Sequence, residues 1–338
     1  MFFFGLPDDR RATVKVADDG RRLDYTLPGT VDIVQHLSPV RFTSEWVYLG
    51  PDQDLPVKLR PGALLNHIGD PDICSQAVEL ARQVVVKTGR ACFNHPEAIA
   101  GTTRDRVARV LAGIPGLDVP KTIRITAPTA AELRAAVKKE GLEYPVLVRV
   151  AGSHGGMNMV KVDTPDAADD IDQLDRSVRS ALYVTEFRNF AGSDGFYRKF
   201  RIVVVGETIL VRHMIMAEGW LVHANQLSKT KRTVNSREEE NAMFAAFQEQ
   251  HGKRLLPMFR EIGRRLELDY VGVDCALPES GEVILFEANA CMAVLGQTQT
   301  ELNVKAVAIN RIRDAVSDLL AAPSTWRYAR PRAEAASA

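Results

Sequence analysis

The sequence predicts an α/β fold of α+β character, in which a parallel sheet opens the regular part of the chain and antiparallel hairpins follow it. Three stretches carry that expectation. ALLNHI, the helical run ICSQAVELARQVVVKTG and then ACFNHPEAI make a β-α-β unit over 63–95, and such a unit calls for parallel strands. KFRIVVVGETILVRHMI folds back at Gly206-Glu207, a pair suited to a two-residue type II′ turn. DYVGVDCALPESGEVILFEANAC, residues 269–291, folds back around PESGE.

With 338 residues and 46% hydrophobic content, the chain can bury a large core and divides by length into two or three lobes. Its 43 Lys plus Arg match its 43 Asp plus Glu, so no global field draws it to nucleic acid or a membrane. That balance fits a small-molecule enzyme or a metabolic binding protein. Cys74, Cys92, Cys275 and Cys291 lack CxxC spacing, which reads as reduced, mostly buried thiols in a cytoplasmic protein. MFFFGLPDDRR is too short and too quickly charged for a signal peptide, and no run approaches the ~18 apolar residues of a membrane span.

In chain order, residues 1–60 read as a small β-rich extension with the short runs ATVKVA, RLDYTL and EWVYLG. The β-α-β unit opens an α/β lobe over 61–120, whose turn Gly69-Asp70-Pro71-Asp72 leads into the first helix. TTRDRVARVLAG is a helix capped by Thr102 or Thr103, with Val107, Val110 and Leu111 as its apolar stripe. A central lobe over 121–188 follows: the strand in IPGLDVPKTIRI, the helix TAAELRAAVKKEG, the strands YPVLVRV and NMVKV, a polar helix near 165–181 and the strand LYVTEF. The last lobe, 189–322, holds both hairpins and helices at 238–250 and 253–267. Their stripes are Met243, Phe244 and Phe247, then Leu255, Phe259, Ile262 and Leu266. The helix in NVKAVAINRIRDAVSDLLAA closes it, and a loosely ordered tail begins at Pro323.

Counting along the hairpins places charges together. A four-residue loop at 279–282 pairs Pro278 with Val283 and brings Asp274 opposite Glu287, and Asn289 shares their side by alternation. Facing carboxylates repel unless a cation lies between them, and a few oxygen ligands suit Mg²⁺ held jointly with nucleotide phosphates. The alternative leaves one carboxylate in solvent on an edge strand. In the other hairpin Val205 pairs with Thr208, which sets Arg201 against Arg212. Opposed like charges cost up to ~1 kcal/mol unless an anion relieves them or both splay into water. His213 then points the other way and reads as structural. Gly152-Ser153-His154-Gly155-Gly156 offers backbone N–H groups and room for a phosphate.

These residues, in this order, resemble the ATP-grasp ligases, and most closely the branch of glutathione synthetase and the ribosomal-protein glutamate ligases. The likeness rests on G-x-D followed after a hairpin by E-x-N, on N-H-P, then D-basic, a helix and V-P-x-T, and on the Gly-rich loop one strand later. Arg201 matches the arginine of the family's D-I-R-x-x-V-V-G pattern, although Lys199 and Phe200 stand where D and I are usual. The resemblance covers residues 94–290 and weakens before residue 60. It implies an ATP-grasp fold, a parallel-sheet N-terminal lobe plus two α+β lobes clasping ATP. Asp274, Glu287 and Asn289 would hold one or two Mg²⁺, with Mn²⁺ as a substitute. Arg106 and Arg149, in place of the usual lysines, would grip phosphates, and Ser153, His154, Gly155 and Gly156 would cover them. Arg for Lys keeps the charge but changes the geometry. Glu186 and Phe187 would hold the adenine through the main chain, while Arg201 and Arg212 stabilise the transferred phosphate.

The implied activity joins a small-molecule carboxylate to an amine through an acyl phosphate, with release of ADP and phosphate. Phosphoryl transfer is mostly positioning and charge neutralisation, which suits arginines and metal ligands better than an acid/base pair. His223, Asn225, Lys229 and Lys231 are candidates for the substrate side. No charged patch marks a peptide or ribosomal tail as substrate, and a homodimer is expected from the family alone. Two other readings stay open: a small-molecule kinase on the same scaffold, and a nucleotide-binding module without turnover.

Overall fold

A computed structural model of the chain describes residues 1–16, 20–21, 23–31, 33, 45–55, 61–126, 128–223, 242, 254–278, 281–292, 294–295 and 304–329. The first sheet is wholly parallel and is ordered β4 (Trp46–Leu49), β1 (Phe2–Gly5), β5 (Leu64–Asn66), β6 (Cys92–Phe93). Helix α1 (Ser75–Thr88) covers it through Ala77, Val78, Ala81, Val84 and Val85 and ends at Gly89, which takes the left-handed φ of 60°. The β-α-β expectation is therefore met, but residues 1–60 are no separate extension, because β1 lies between β4 and β5. The run Phe2-Phe3-Phe4, too short for a signal peptide, is buried on both faces, as a strand inside a parallel sheet is. Only β2 (Thr13–Val16) and β3 (Leu23–Thr26) form a ribbon of their own, with Val14, Val16, Leu23 and Tyr25 exposed.

Helices α2 (Pro96–Ala100) and α3 (Arg104–Leu111) lead to β7 (Leu117–Asp118) and into the central lobe. There the sheet runs β10 (Met159–Val162), β9 (Val146–Val150), β11 (Ala181–Glu186), β8 (Thr122–Thr126), all antiparallel. Helix α4 (Ala130–Glu140), closed by a Thr129/Glu132 capping box, packs Leu133 and Val137 against Val146, Val148, Leu182 and Val184. The polar helix expected near 165–181 is a 3₁₀ helix over Pro165–Gln173.

The third sheet runs β13 (Thr208–Ala217), β12 (Tyr197–Val205), β14 (Tyr270–Ala276), β15 (Val283–Asn289), β7, with only the β15–β7 edge parallel. A helix over 254–266 (α5) and α6 (Val304–Leu320) pack on it. Leu255, Phe259, Ile262 and Leu266 are buried as expected, while the expected helix at 238–250, with Met243, Phe244 and Phe247, lies outside the described residues apart from position 242. The first and third sheets share their cores. Phe3, Ile99 and Leu111 join Phe259, Val271 and Val273 in one cluster, and Phe2, Phe4 and Phe93 join Val203, Ile312 and Trp326 in another. The central lobe keeps a core of its own. The tail does not loosen at Pro323: Trp326 is buried and donates to Leu319 O at 2.7 Å, and the Tyr328 hydroxyl donates to Glu267 at 2.6 Å. Among the described residues no helix is long and apolar enough to cross a membrane.

Candidate active site

Three adjacent strands carry one charged row. Arg201 on β12 is the neighbour of Asp274 on β14, which is the neighbour of Glu287 on β15. The Asp274–Glu287 pairing is the expected one, but it arises differently. Near the turn Ala276 faces Ile284 and Cys275 faces Leu285, one residue out of the counted register, and a bulge that leaves Phe286 unpaired restores it at Glu287. A second bulge corrects the other hairpin. Val205 pairs with Thr208 and Ile202 with Val211 as counted, then Arg201 pairs with His213, so Arg212 is the extra residue. Arg212 is buried, and its Nε donates to Val294 O at 2.9 Å. The expected facing of Arg201 and Arg212 is thereby replaced, and Arg212 does not line the cavity described below.

Each carboxylate meets a cation. The Arg201 guanidinium holds Asp274 with two hydrogen bonds, at 2.7 and 2.9 Å, and Lys199 Nζ lies 3.2 Å from the same group. Burial pushes Asp274 up, but Arg201 and Lys199 outweigh it and hold the carboxyl below its ordinary value. Glu287 Oε1 accepts from Arg104 Nη2 at 2.6 Å and from Asn289 Nδ2 at 2.6 Å. Against burial, Arg104, His154 and Arg149 keep Glu287 well below the usual carboxylate range.

Arg104, rather than Arg106, is the cation that α3 delivers. Arg106 is exposed and donates to Ala100 O at 2.8 Å, outside the cavity. Residues 104 and 106 are about 200° apart around a helix, so one faces inward and the other out. The signal was in the sequence: Arg104 sits three residues before Val107, on the side of the buried stripe, which also holds Leu111 but not the exposed Val110.

Arg149 lies on β9. It faces into the cavity with Nη2 3.1 Å from Met159 Sδ, while its buried Nε has no hydrogen-bond partner and no carboxylate pairs with it among the described residues. Burial and the neighbouring Arg104 pull it down to about 9. An unpaired cation held in a partly buried position is costly, and an anion in the cavity would offset that cost.

These groups line a cavity of about 380 Å³ between the central and third sheets. Its apolar end is built from Leu147, Phe187, Phe190, Trp220, Ile284 and Phe286, with Phe187 and Trp220 edge to face at 5.9 Å. Glu186 and Phe187 stand at that end, but their N–H groups are already bound to Lys121 O and Pro145 O, both at 3.0 Å. His154, Gly155 and Gly156 line the cavity, whereas Ser153 lines a smaller neighbouring one. His154 is partly exposed, with 42% of its side chain accessible, yet it is paired on both ring nitrogens. Its Nε2 lies 2.6 Å from Asp70 Oδ2 and its Nδ1 3.7 Å from Glu287 Oε1, and these carboxylates raise it to about 9 despite burial. His223 packs over Gly155, where an added Cβ would lie 3.0 Å from its Nε2. Asn225, Lys229 and Lys231 lie outside the described residues. Asp70, Lys199, Leu147 and Trp220 were not foreseen.

Two ionised carboxylates and an amide oxygen on one hairpin are a donor set that fits Mg²⁺. The described hydrogen bonds to Glu287 all reach Oε1, which leaves Oε2 for a further partner. Asn289 Oδ1 already accepts from Cys291 N at 2.9 Å and keeps a second lone pair.

No protein-family model and no curated protein matches this chain. Solved structures do. The D-alanine–D-alanine ligase of Bacillus anthracis aligns over 87% of this chain and 89% of its own, at 12% identity and a TM-score of 0.50. A RimK domain ATP-grasp protein of Sphaerobacter thermophilus covers 81% of this chain and 89% of its own, at 16% identity and TM-score 0.49. Carboxyaminoimidazole ribonucleotide synthase of Aspergillus clavatus, complexed with ATP, matches at 16% identity and TM-score 0.47; it covers 76% of this chain, which spans 60% of that protein's length.

Proposed function

Because the chain has the ATP-grasp fold, we propose that it is an ATP-dependent ligase joining a carboxylate to an amine, with release of ADP and phosphate. The observation that carries the reading is the charge in the cavity. Arg104, Arg149, His154, Arg188, Lys199 and Arg201 line it against three carboxylates, Glu186, Asp274 and Glu287, and Arg149 has no ion-pair partner among the described residues. A surplus of half-buried cations beside an apolar end suits a polyanion with a flat apolar head, which describes a nucleoside triphosphate.

In this reading the apolar end of the cavity, beside Phe187 and Trp220, takes the base, and Arg149 receives the phosphates. Asp274, Glu287 and Asn289 hold Mg²⁺, whose contribution is to neutralise phosphate charge and orient the transferred group. Arg201 stays on Asp274 until the nucleotide arrives, then shares its guanidinium with the phosphoryl oxygens. The carboxylate substrate attacks the terminal phosphorus, ADP leaves, and the amine displaces phosphate from the acyl phosphate. The Gly-rich loop keeps water from that intermediate.

The test is ADP release from Mg-ATP across pooled amino acids and small carboxylates, with product masses recorded. A new mass equal to acid plus amine minus water is expected. A stable phosphate adduct on one alcohol would make the protein a kinase, and tight ATP binding without ADP release from any pool would make it a binding module.

A further inference from the structure

The central lobe has its own core, and polar contacts tie it to the first lobe. The geometry points to Asp70 and Asp72 as positioning residues that hold the Gly-rich loop closed over the cavity. Both lie in one turn of the first lobe, Gly69-Asp70-Pro71-Asp72, which lies outside the strands and helices of the third sheet that carry the charged row.

Asp70 divides its two oxygens. Oδ1 accepts from Asp72 N at 2.8 Å and shapes its own turn, while Oδ2 lies 2.6 Å from His154 Nε2 in the Gly-rich loop. Asp72 grips the lobe that carries the loop. Its Oδ2 accepts the Tyr183 hydroxyl at 2.6 Å and its Oδ1 meets Arg124 Nη1 at 2.5 Å, with Arg124 lying over the Tyr183 ring. The next residue completes the seat: a Cβ added at Gly152 would come within 2.9 Å of Ile73 Cγ1, so the loop backbone rests directly on Ile73. Arg179 and Asp9, 3.0 Å apart, add a third tie between the same two lobes.

The turn and the Gly-rich loop also face each other across the smaller cavity, of about 60 Å³, lined by Asp70, Asp72, Arg104, Ser153, His154 and Glu287. A molecule there touches both halves of the latch as well as Glu287. On the ligase reading that occupant is the substrate next to the transferred phosphate. The latch rests on that reading only for the identity of the occupant.

The test uses the full chain and measures hydrogen exchange of the Ser153 and Met157 amides, which donate to Val150 O and His154 O. In Asp70→Asn, which keeps the turn's shape, exchange at 152–157 rises at least tenfold while β9 and β11 stay as protected as before. Asp72→Asn and Tyr183→Phe cut the other arm and give a smaller rise in the same segment. The fluorescent nucleotide mant-ATP, bound with Mg²⁺, escapes at least fivefold faster from Asp70→Asn than from the unaltered protein. Equal exchange at 152–157 in all four proteins overturns the latch. So does a loss of protection spread over the whole central lobe, which would make these residues supports of folding. Failure of mant-ATP to bind the unaltered protein removes the nucleotide reading, while the exchange of the free protein still decides the latch.

Discussion

Arg149 is held at a cost to the fold. Its guanidinium is buried beside Arg104, its Nε is unpartnered, and no carboxylate pairs with it among the described residues. Replacing such a cation by an apolar side chain of similar length removes the desolvation cost of an unpaired charge. Arg149→Met should therefore raise the melting temperature and weaken nucleotide binding at least tenfold. Calorimetric melting and a nucleotide titration on the same sample check both halves, and a lower Tm with unchanged affinity would assign Arg149 a structural role.

At the scale of elements, helix α3 makes a sharper prediction because two arginines one turn-half apart have opposite fates. Arg106→Ala should leave nucleotide affinity within about twofold, as its only described bond is to Ala100 O. Arg104→Ala leaves Glu287 without its main cation and should cost about 3 kcal/mol, read from chemical unfolding. The same helix shows what the sequence could disclose. Phase relative to Val107 and Leu111 separates 104 from 106, so the inward arginine is legible in the sequence, whereas the family's D-basic pattern points to its neighbour. Asp274 and Glu287 came out opposite each other on a count that puts the turn one residue off and omits the bulge at Phe286, two differences that cancel at this pair. Arg212 was not, since the bulge that removes it from Arg201 leaves no mark in an unbroken apolar run, and bulges answer to the packing of a whole sheet. Asp70 was visible only as a turn residue, because its partner His154 is 84 positions away and the lobes' docking sets their distance.

For the molecule as a whole, the body formed by the first and third sheets carries a built-in sensitivity to acid. His67 lies between Phe2 and Phe4, both ring nitrogens are buried without a partner, and burial depresses it to about 3. A folded value below the unfolded one of about 6.5 means that the neutral ring's contribution is whole above pH 6.5 and is lost as pH falls toward 3. Stability should drop by about 1.4 kcal/mol per pH unit from this group in that window. His67→Leu should flatten the slope, as denaturant midpoints at pH 7, 6 and 5 would reveal; an unchanged slope would place the acid sensitivity elsewhere.

That same body also constrains the order in which the protein can be made. Phe3, Ile99 and Leu111 leave the ribosome early, yet their partners Phe259, Val271 and Val273 come roughly 150 residues or more later. During synthesis the first lobe must wait with an apolar face uncovered, whereas 122–186, whose apolar core is its own, can complete that core as soon as it emerges. A nascent chain halted before β14 is therefore a finished middle flanked by an unfinished beginning, a natural client for chaperones.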